Sequence, residues 1–347
     1  MDAELKHRLP AAWRLEEVGY AANSPTTAGL FRGRNGFVKV LRSYRLWPAL
    51  ELAPAEFRVL ALAGDLWRYE ADVYLDGLAS SLPTGLRLPE LYSAELLDDD
   101  HLALVVENVR TAESPWDRDR YGRAAELLGR LGVRLTANDA LPAAADRSPG
   151  RLTRLMIEGF VEQFAIRPLL DPATWRHPLL AGSGLREELA QLAARIPRLL
   201  AELARRPQLM SHGDACPQNL LVPADAPDTF VAIDWTLSGL VAAGDDLGQL
   251  LIGRAHSGEL TVDELADLRE LVIRRYHAGL IAEGRDGISQ DDVRAGLDGA
   301  LILRSAFLSI PLDRLAETVT DELATLVAQR LELTRYLVEL GAVSLST

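Results

Sequence analysis

The sequence predicts an α+β protein with a small, strand-rich first part and a larger, mostly helical second part. The first hundred residues contain short apolar or alternating runs bounded by turn residues, which is the pattern of strands. From Tyr121 onward, apolar residues recur at three- and four-residue spacing, which is typical of amphipathic helices. At 347 residues the chain exceeds the size at which a single core stops growing. We therefore expect two domains, residues 1–109 and 110–347.

The first part is expected to combine a sheet with helices. "GFVKVLRS" (Gly36–Ser43) alternates in polarity, and "LALVVENV" (Leu102–Val109) is nearly unbroken in its apolar character, so both are predicted strands. The segment between them carries apolar residues at helical spacing, with Trp67 and Val73 on one face. This order predicts strands that are separated by helical structure.

The second part is predicted to be helical except for one strand pair. Two short runs, Leu220–Val222 and Phe230–Ile233, are the only predicted strands there, and "PADAPDT" between them has the composition of a hairpin turn. The last predicted helix, Leu315–Gly341, is expected to close the helical part. We therefore expect a small hairpin inside a helical domain.

Composition and charge exclude several classes of protein. The hydrophobic share of 48% and the charged share of 25% are ordinary for a globular protein, and the net charge of −13 disfavours binding to nucleic acid or to an anionic membrane. The N-terminal residues lack a secretory signal pattern, and we expect no membrane-spanning segment. A single cysteine, Cys216, excludes an internal disulfide. We expect a cytoplasmic protein that is a monomer or a homodimer.

One loop concentrates polar residues directly before the predicted hairpin. "SHGDACPQNLL" (Ser211–Leu221) contains His212, Asp214 and Asn219, and Asp234 follows the second strand of the hairpin. At roughly one-in-twenty usage per position, His212, Gly213, Asp214 and Asn219 would occur at this spacing by chance about 0.002 times in such a chain. A hairpin would bring Asn219 and Asp234 together, with Asp214 close by.

This set of side chains suits phosphoryl transfer. That reaction needs a magnesium ion held against the phosphates and an acceptor hydroxyl aimed in line with the transferred group. Oxygen ligands such as those of Asn219 and Asp234 suit the metal, and a carboxylate such as that of Asp214 suits the acceptor proton.

"HGDACPQN" followed by "IDW" resembles the catalytic loop and metal-binding segment of the aminoglycoside phosphotransferase family, small-molecule kinases with the two-lobed protein-kinase fold. The resemblance implies a small β-rich N-lobe and a larger, mostly helical C-lobe. It implies that Asp214 is the catalytic base and that Asn219 and Asp234 bind Mg²⁺. His212 is assigned a structural role, and Asp246 in "GDDLGQL", or alternatively Asp245, is expected to brace the loop.

The resemblance extends to the nucleotide side of the site. Lys39 matches the phosphate-binding lysine of the family, and Glu70 matches the helix glutamate that pairs with it. The family's phosphate loop corresponds to "ANSPTTAGLFR", a degenerate version with one glycine. The resemblance implies further contacts with the nucleotide. Phosphate would be met by the hydroxyl groups of Ser24, Thr26 and Thr27. The adenine edge would be met by the main chain around Glu107 and Val109.

The function implied is an O-phosphotransferase that uses ATP, or alternatively GTP, on a hydroxyl group of a small molecule. The favoured acceptor is an antibiotic, which would give resistance. Acidic residues offered for a cationic acceptor are Glu158, Glu259, Asp263 and Asp298. The alternatives are a kinase of a metabolite, such as an amino alcohol or a sugar, and a non-catalytic kinase-like scaffold that binds nucleotide.

Overall fold

The computed structural model describes residues 9, 14–19, 24–34, 36–64, 66–112 and 115–344. By contacts the chain forms two compact units, each built from three segments. The first unit is Met1–Ser114, Ala140–Ala145 and Asn219–Thr236, and the second is Pro115–Asp139, Asp146–Gln218 and Leu237–Thr347. The domain boundary predicted after Val109 stays a prediction.

The described residues form strands that fall into three small sheets. The strands are β1 (Glu16–Glu17), β2 (Thr27–Arg32), β3 (Phe37–Arg42), β4 (Leu86–Arg87), β5 (Leu91–Leu96), β6 (His101–Val106), β7 (Gln208–Ser211), β8 (Leu220–Leu221), β9 (Phe230–Ala232) and β10 (Gly239–Ala242).

Helices dominate the rest of the described chain. The α-helices are α1 (Ala55–Leu62), α2 (Tyr69–Leu75), α3 (Arg118–Asn138), α4 (Arg151–Met156), α5 (Arg167–Leu170), α6 (Leu185–Ala193), α7 (Ile196–Leu203), α8 (Asp246–His256), α9 (Val262–Ala282), α10 (Gln290–Ala300), α11 (Ala306–Leu308) and α12 (Asp321–Ser344), and π-helical stretches cover Ile157–Ile166 and Leu301–Ser305.

The first unit is organised by an antiparallel sheet of order β1-β2-β3-β6-β5. Side chains alternate between the two faces of a strand, so Val38 and Val40 of β3 enter the apolar core on one face and Lys39 points to the other. Ala103 and Val105 of β6 join the same core. The two strands predicted in the first part are confirmed, and they are neighbours in the sheet.

The helical segment of the first unit is more broken than its spacing predicts. A 3₁₀ turn, Leu66–Arg68, lies between α1 and α2, and α2 is followed by Gly77 with φ +82°. Left-handed backbone at a glycine ends a helix without a steric penalty. In the same unit, β8 pairs antiparallel with β9 through Leu220 and Ala232, which confirms the predicted hairpin.

The second unit is mostly helical, and two of its long helices, α3 and α9, meet at glycines. A Cβ atom added to Gly129 of α3 would lie 2.3 Å from the Tyr276 carbonyl oxygen of α9, and one added to Gly279 of α9 would lie 2.1 Å from the Glu126 carbonyl oxygen of α3. The two backbones therefore approach each other more closely than any larger residue would allow.

The prediction that Leu220–Val222 and Phe230–Ile233 are the only strands after Tyr121 is wrong. β7 and β10 also pair, antiparallel, with Met210 opposite Leu240. Both strands have four residues and are largely buried. A buried run this short has no alternation of polarity by which to recognise a strand.

One helical run, Gln290–Ala316, is long and apolar enough by composition to cross a membrane. However, 72% of its most apolar window is buried inside the protein, as in the core helix of a globular domain. In the structure this run is α10, the π-helical stretch Leu301–Ser305, α11 and a 3₁₀ turn.

Candidate active site

A buried cation and two carboxylates form the centre of the polar site in the first unit. The ammonium group of Lys39 donates to Glu70 Oε2 at 2.6 Å and to Asp234 Oδ1 at 3.2 Å. Lys39 is 9% exposed and Glu70 is 4% exposed. The hydroxyl of Thr236 lies 3.2 Å from Glu70 Oε2 and 3.1 Å from Asp234 Oδ1, and so ties the two carboxylates together. The structure thus brings together three of the residues that the sequence singled out.

The charges of this cluster support one another. Burial by itself would lower the pKa of Lys39, but the carboxylates of Glu70 and Asp234 outweigh burial, and the net pKa is raised. Lys39 therefore remains a cation. Burial raises the pKa of Glu70, and Lys39 opposes that shift. Burial and then these two carboxylates raise the pKa of Tyr74, which follows Glu70 by one helical turn and which the sequence analysis did not select.

The β8–β9 hairpin places Asn219 and Asp234 at its open end. The main-chain N–H of Ile233 donates to the Asn219 carbonyl oxygen at 3.0 Å, so Asn219 lies opposite the residue that precedes Asp234. Asp234 has φ +61°, a left-handed conformation that aspartate adopts more readily than most residues. The next residue, Trp235, is fully buried and holds the turn through a hydrogen bond from its indole to the Ala232 carbonyl oxygen at 3.2 Å.

The oxygen atoms of this hairpin fit a hard cation. A carboxylate and an amide oxygen are ligands that Mg²⁺ accepts, and Mg²⁺ in proteins commonly keeps water and phosphate oxygens as its remaining ligands. No group of three or more histidine, cysteine, aspartate and glutamate side chains within the described ranges is placed to hold a metal ion. Asn219 and Asp234 would therefore supply only some of the ligands of such a cation.

Two of the three hydroxyl residues predicted for the phosphate loop are hydrogen-bonded to each other. Ser24 Oγ donates to Thr27 Oγ1 at 3.0 Å, and the Thr27 N–H donates to Ser24 Oγ at 3.2 Å. Arg42 donates to the Ser24 carbonyl oxygen at 2.8 Å. Thr26 and Thr27 are buried, at 2% and 8% exposure. Their contact with phosphate stays a prediction, and the predicted loop residues Ala22 and Asn23 lie outside the described residues.

In the predicted adenine segment, the side chain of Glu107 is committed to an ion pair. Both of its oxygens accept from Arg87, at 2.6 and 2.9 Å, and Oε2 also accepts from the Glu90 N–H at 3.1 Å. The hydrogen bonds from Arg87 lower the pKa of Glu107. A contact with adenine would therefore come from the main chain of Glu107 and Val109, as predicted, and that contact stays a prediction.

In the second unit, the loop that carries Asp214 is braced by the start of α8. Asp246 Oδ1 accepts from the Gly213 N–H at 2.7 Å and Oδ2 accepts from the His212 N–H at 3.1 Å. His212 is fully buried, and its Nδ1 accepts from the Asp214 N–H at 3.2 Å. The bracing role predicted for Asp246 and the structural role predicted for His212 are confirmed.

The loop requires a glycine at position 213. Its φ is +82°, and a Cβ atom there would lie 2.0 Å from the Leu237 carbonyl oxygen. Left-handed backbone and the absence of a side chain are both properties of glycine. The tight turn fixes the direction in which the chain presents Asp214.

The side chain of Asp214 has a partner that the sequence analysis missed. Arg304 Nη2 donates to Asp214 Oδ1 at 2.9 Å. Arg304 lies within the apolar segment "ALILRSAFLSI", whose spacing predicts a core helix and gives no reason to select one arginine. A contact across 90 residues has no local signal in the sequence.

The acidic residues offered for a cationic acceptor are engaged or exposed elsewhere. Asp298 is 6% exposed and accepts from Arg269 at 2.8 and 2.6 Å, so its carboxylate is already paired with a cation. Glu158 and Glu259 each form an ion pair with a neighbouring arginine. Asp263 is exposed in the first turn of α9.

Comparison with known proteins agrees with this picture. Residues 39–286 match the Phosphotransferase enzyme family. No curated protein sequence gives a significant match. An amicoumacin kinase, solved in complex with AMP-PNP, Ca²⁺ and Ami, is 12% identical over 96% of each chain with a TM-score of 0.54.

Two aminoglycoside phosphotransferases are also similar in structure. One, from Streptomyces rimosus and solved with ADP and streptomycin, is 21% identical, covers 86% of this chain and 96% of its own, and has a TM-score of 0.49. The other, an aminoglycoside-3′-phosphotransferase of type VIII, is 21% identical over 87% of this chain and 100% of its own, with a TM-score of 0.49.

The family match spans well over half of the chain and includes Lys39, Glu70, Asp214, Asn219 and Asp234. The small antiparallel sheet and the mostly helical remainder confirm the predicted α+β, kinase-like fold class. The chain therefore belongs to the phosphotransferase enzyme family, and it is a small-molecule kinase.

Proposed function

We propose that the protein transfers the γ-phosphoryl group of ATP to a hydroxyl group of an antibiotic and so inactivates it. The observation that carries the proposal is the buried ammonium group of Lys39, held by Glu70 and Asp234 within 3.2 Å. For packing alone, an apolar residue of similar size would stabilise the fold at least as well as a buried cation between carboxylates. It is suited to binding the phosphates of a nucleotide.

In this proposal the first unit binds the nucleotide. Lys39 binds the phosphate oxygens, and Glu70 keeps the ammonium group in place. The main chain of Glu107 and Val109 meets the adenine edge, and the hydroxyl of Ser24 meets phosphate. ATP is favoured over GTP because the amicoumacin kinase of the same fold was solved with AMP-PNP.

Asn219 and Asp234 would hold Mg²⁺, which when bound neutralises charge on the phosphates. The register of the β8–β9 hairpin places Asn219 opposite Ile233, the residue before Asp234. The two proposed ligands are therefore neighbours across the hairpin without a cation. The contact of Asp234 with Lys39 keeps its carboxylate on the same side as the ammonium group.

Asp214 is proposed as the catalytic base. It accepts the proton of the acceptor hydroxyl while the hydroxyl oxygen forms a bond to the γ-phosphorus, and the bond from that phosphorus to the bridging oxygen of ADP breaks. Asp246 holds the loop through two main-chain N–H groups, so Asp214 is presented from a rigid turn. Alignment and charge stabilisation supply most of the acceleration in such reactions.

The choice of an antibiotic as acceptor is supported by the fold that this chain shares with an amicoumacin kinase. An ADP-release assay with Mg²⁺ and either ATP or GTP tests it, with aminoglycosides, amicoumacin, peptide and nucleoside antibiotics, choline, homoserine and sugars as acceptors. We expect turnover with one antibiotic class, and we expect Asp214→Ala to abolish it.

The other outcomes of this assay identify the alternatives. Turnover with choline, homoserine or a sugar alone would make the protein a metabolite kinase. If ATP binds and no acceptor raises ADP release above the level without acceptor, the proposal fails and a nucleotide-binding scaffold gains support.

A further inference from the structure

Arg304 contacts the loop of Asp214 at two points. Its Nη2 donates to Asp214 Oδ1 at 2.9 Å, and its Nη1 lies 3.4 Å from the Gly213 carbonyl oxygen. A guanidinium group is planar and presents its donors in a fixed fork. Two contacts on successive residues therefore restrict the rotation of the Asp214 carboxylate, not only its position.

Arg304 reaches the loop from an unusual turn of helix. It lies in the π-helical stretch Leu301–Ser305, between α10 and α11. The π-helical turn contains an additional residue per turn and is frequently found at functional sites. Leu301 and Leu303 are fully buried in the core, whereas the Arg304 side chain remains 20% exposed.

The ion pair is partly exposed and is not sealed in the core. The Asp214 side chain is 23% exposed. A cavity of about 30 Å³ is lined by Arg304, Gly213 and Asp245 together with apolar side chains that include Leu303. Burial, then the neighbouring Asp246, raise the pKa of Asp245, and Arg304 opposes that shift. Arg304 is therefore a positive charge close to both Asp214 and Asp245.

A purely structural ion pair would gain little at this place. Partly exposed ion pairs contribute a small amount to stability, and the loop is already fixed by Asp246 and by the tight turn at Gly213. By contrast, the orientation of a reacting carboxylate matters to within 10–20° or so. The contact is therefore better suited to aiming Asp214 than to holding the fold.

We propose that Arg304 is a positioning residue, which holds Oδ1 of Asp214 so that its other oxygen is aimed at the acceptor hydroxyl. This inference rests on the proposed function, because it requires Asp214 to be the base. Arg304 acts through Asp214 and does not itself take the proton. A lysine at this position would keep the charge and lose the fork.

The test uses the full chain and needs no identified acceptor, because water takes the acceptor's place in ATP hydrolysis. ADP release with Mg²⁺ and ATP is measured for wild type, Arg304→Met, Arg304→Lys, Asp214→Asn and the double variant Asp214→Asn/Arg304→Met. Arg294→Met is the matched control, since Arg294 of α10 forms an ion pair with Glu270 away from the loop. Urea unfolding of each variant shows whether it is folded.

We expect Arg304→Met to lower kcat roughly 10-fold or more with the KM for ATP within about twofold of wild type. Arg304→Lys should keep an intermediate kcat, and Arg294→Met should match wild type. In the Asp214→Asn background, Arg304→Met should have no further effect, because a residue that acts through another has nothing left to position.

Two results would overturn the inference. One is an unchanged kcat in folded Arg304→Met, and the other is an equal loss of kcat in both backgrounds, which would show a role independent of Asp214. Failure of the proposed function looks different. In that case Asp214→Asn itself hydrolyses ATP as fast as wild type, and the positioning role falls with it.

Discussion

Lys39 shows how a single residue carries both stability and function. It lies on a central strand with carboxylates of Glu70 and Asp234 at 2.6 and 3.2 Å. The role of Lys39 was predictable because Lys39 lies in a recognisable strand and because the other motifs follow it in the expected order along the chain. Arg304 was not predictable, because its contact with Asp214 depends on a π-helical turn far along the sequence.

Replacement of Lys39 should separate these two contributions. Lys39→Met should abolish phosphoryl transfer and lower the free energy of unfolding by about 3 kcal/mol, since it leaves two carboxylates near each other without their cation. Urea unfolding and ADP release measure the two effects. The double variant Lys39→Met/Glu70→Gln should recover much of the stability and none of the activity. If the double variant is as unstable as Lys39→Met, the charge argument is wrong.

The raised pKa of Asp245 predicts that the stability of the fold depends on pH. Burial and the adjacent Asp246 raise its pKa to about 7, whereas an unfolded aspartate titrates near 4. The folded state therefore binds the proton more tightly, and the stability that this provides is lost as the pH rises from about 4 through about 7.

Asp245→Asn should remove this part of the pH dependence. Because Asp245 is only partly buried, we expect a gain of roughly 1 kcal/mol over wild type at pH 8 and little difference at pH 4. Urea unfolding at the two pH values measures it. An equal difference between the two proteins at both pH values would show that Asp245 does not titrate in this range.

At the scale of elements, the loop Ser211–Leu221 and the hairpin that follows it were predictable because their polar residues are concentrated and their spacing is regular. The β7–β10 pair was not predictable, because each strand has only four residues and is largely buried. The contact between the loop and the start of α8 was expected only from the family resemblance, because no local pattern of residues indicates it.

A substitution at Asp246 tests how much the start of α8 stabilises the loop Ser211–Leu221. Asp246→Ala should lower the free energy of unfolding by about 3 kcal/mol, because it leaves the buried main-chain N–H of His212 and the partly buried main-chain N–H of Gly213 without an acceptor. Thermal or urea unfolding measures the effect. Asp263→Ala, an exposed residue in the first turn of α9, is the control and should cost well under 1 kcal/mol. Equal costs for the two variants would remove the bracing role.

At the scale of the whole molecule, the fold class followed from the change from strand-like to helix-like patterns along the chain. The segments that make up each of the two compact units did not follow, because residues 140–145 and 219–236 join the first unit by contacts that are distant in sequence. Helix periodicity also predicted α3 and α9 without indicating that their backbones meet at Gly129 and Gly279.

This close packing of α3 against α9 should be sensitive to one methyl group. Gly129→Ala would place a Cβ atom 2.3 Å from the Tyr276 carbonyl oxygen, and we expect the helices to separate at a cost of about 2 to 3 kcal/mol. Gly287→Ala is the matched control, because its Cβ atom would meet nothing within 4 Å. It should be neutral or slightly stabilising. Similar unfolding midpoints for the two variants would contradict the packing seen here.

The central claim is that this chain phosphorylates a small molecule with Asp214 as base. The most direct measurement is mass spectrometry of each candidate acceptor after incubation with Mg²⁺, ATP and either wild type or Asp214→Asn, the nearest isostere. We predict that wild type adds one phosphoryl group to an antibiotic and that folded Asp214→Asn adds none. A phosphorylated product formed at equal rates by both proteins would contradict the account.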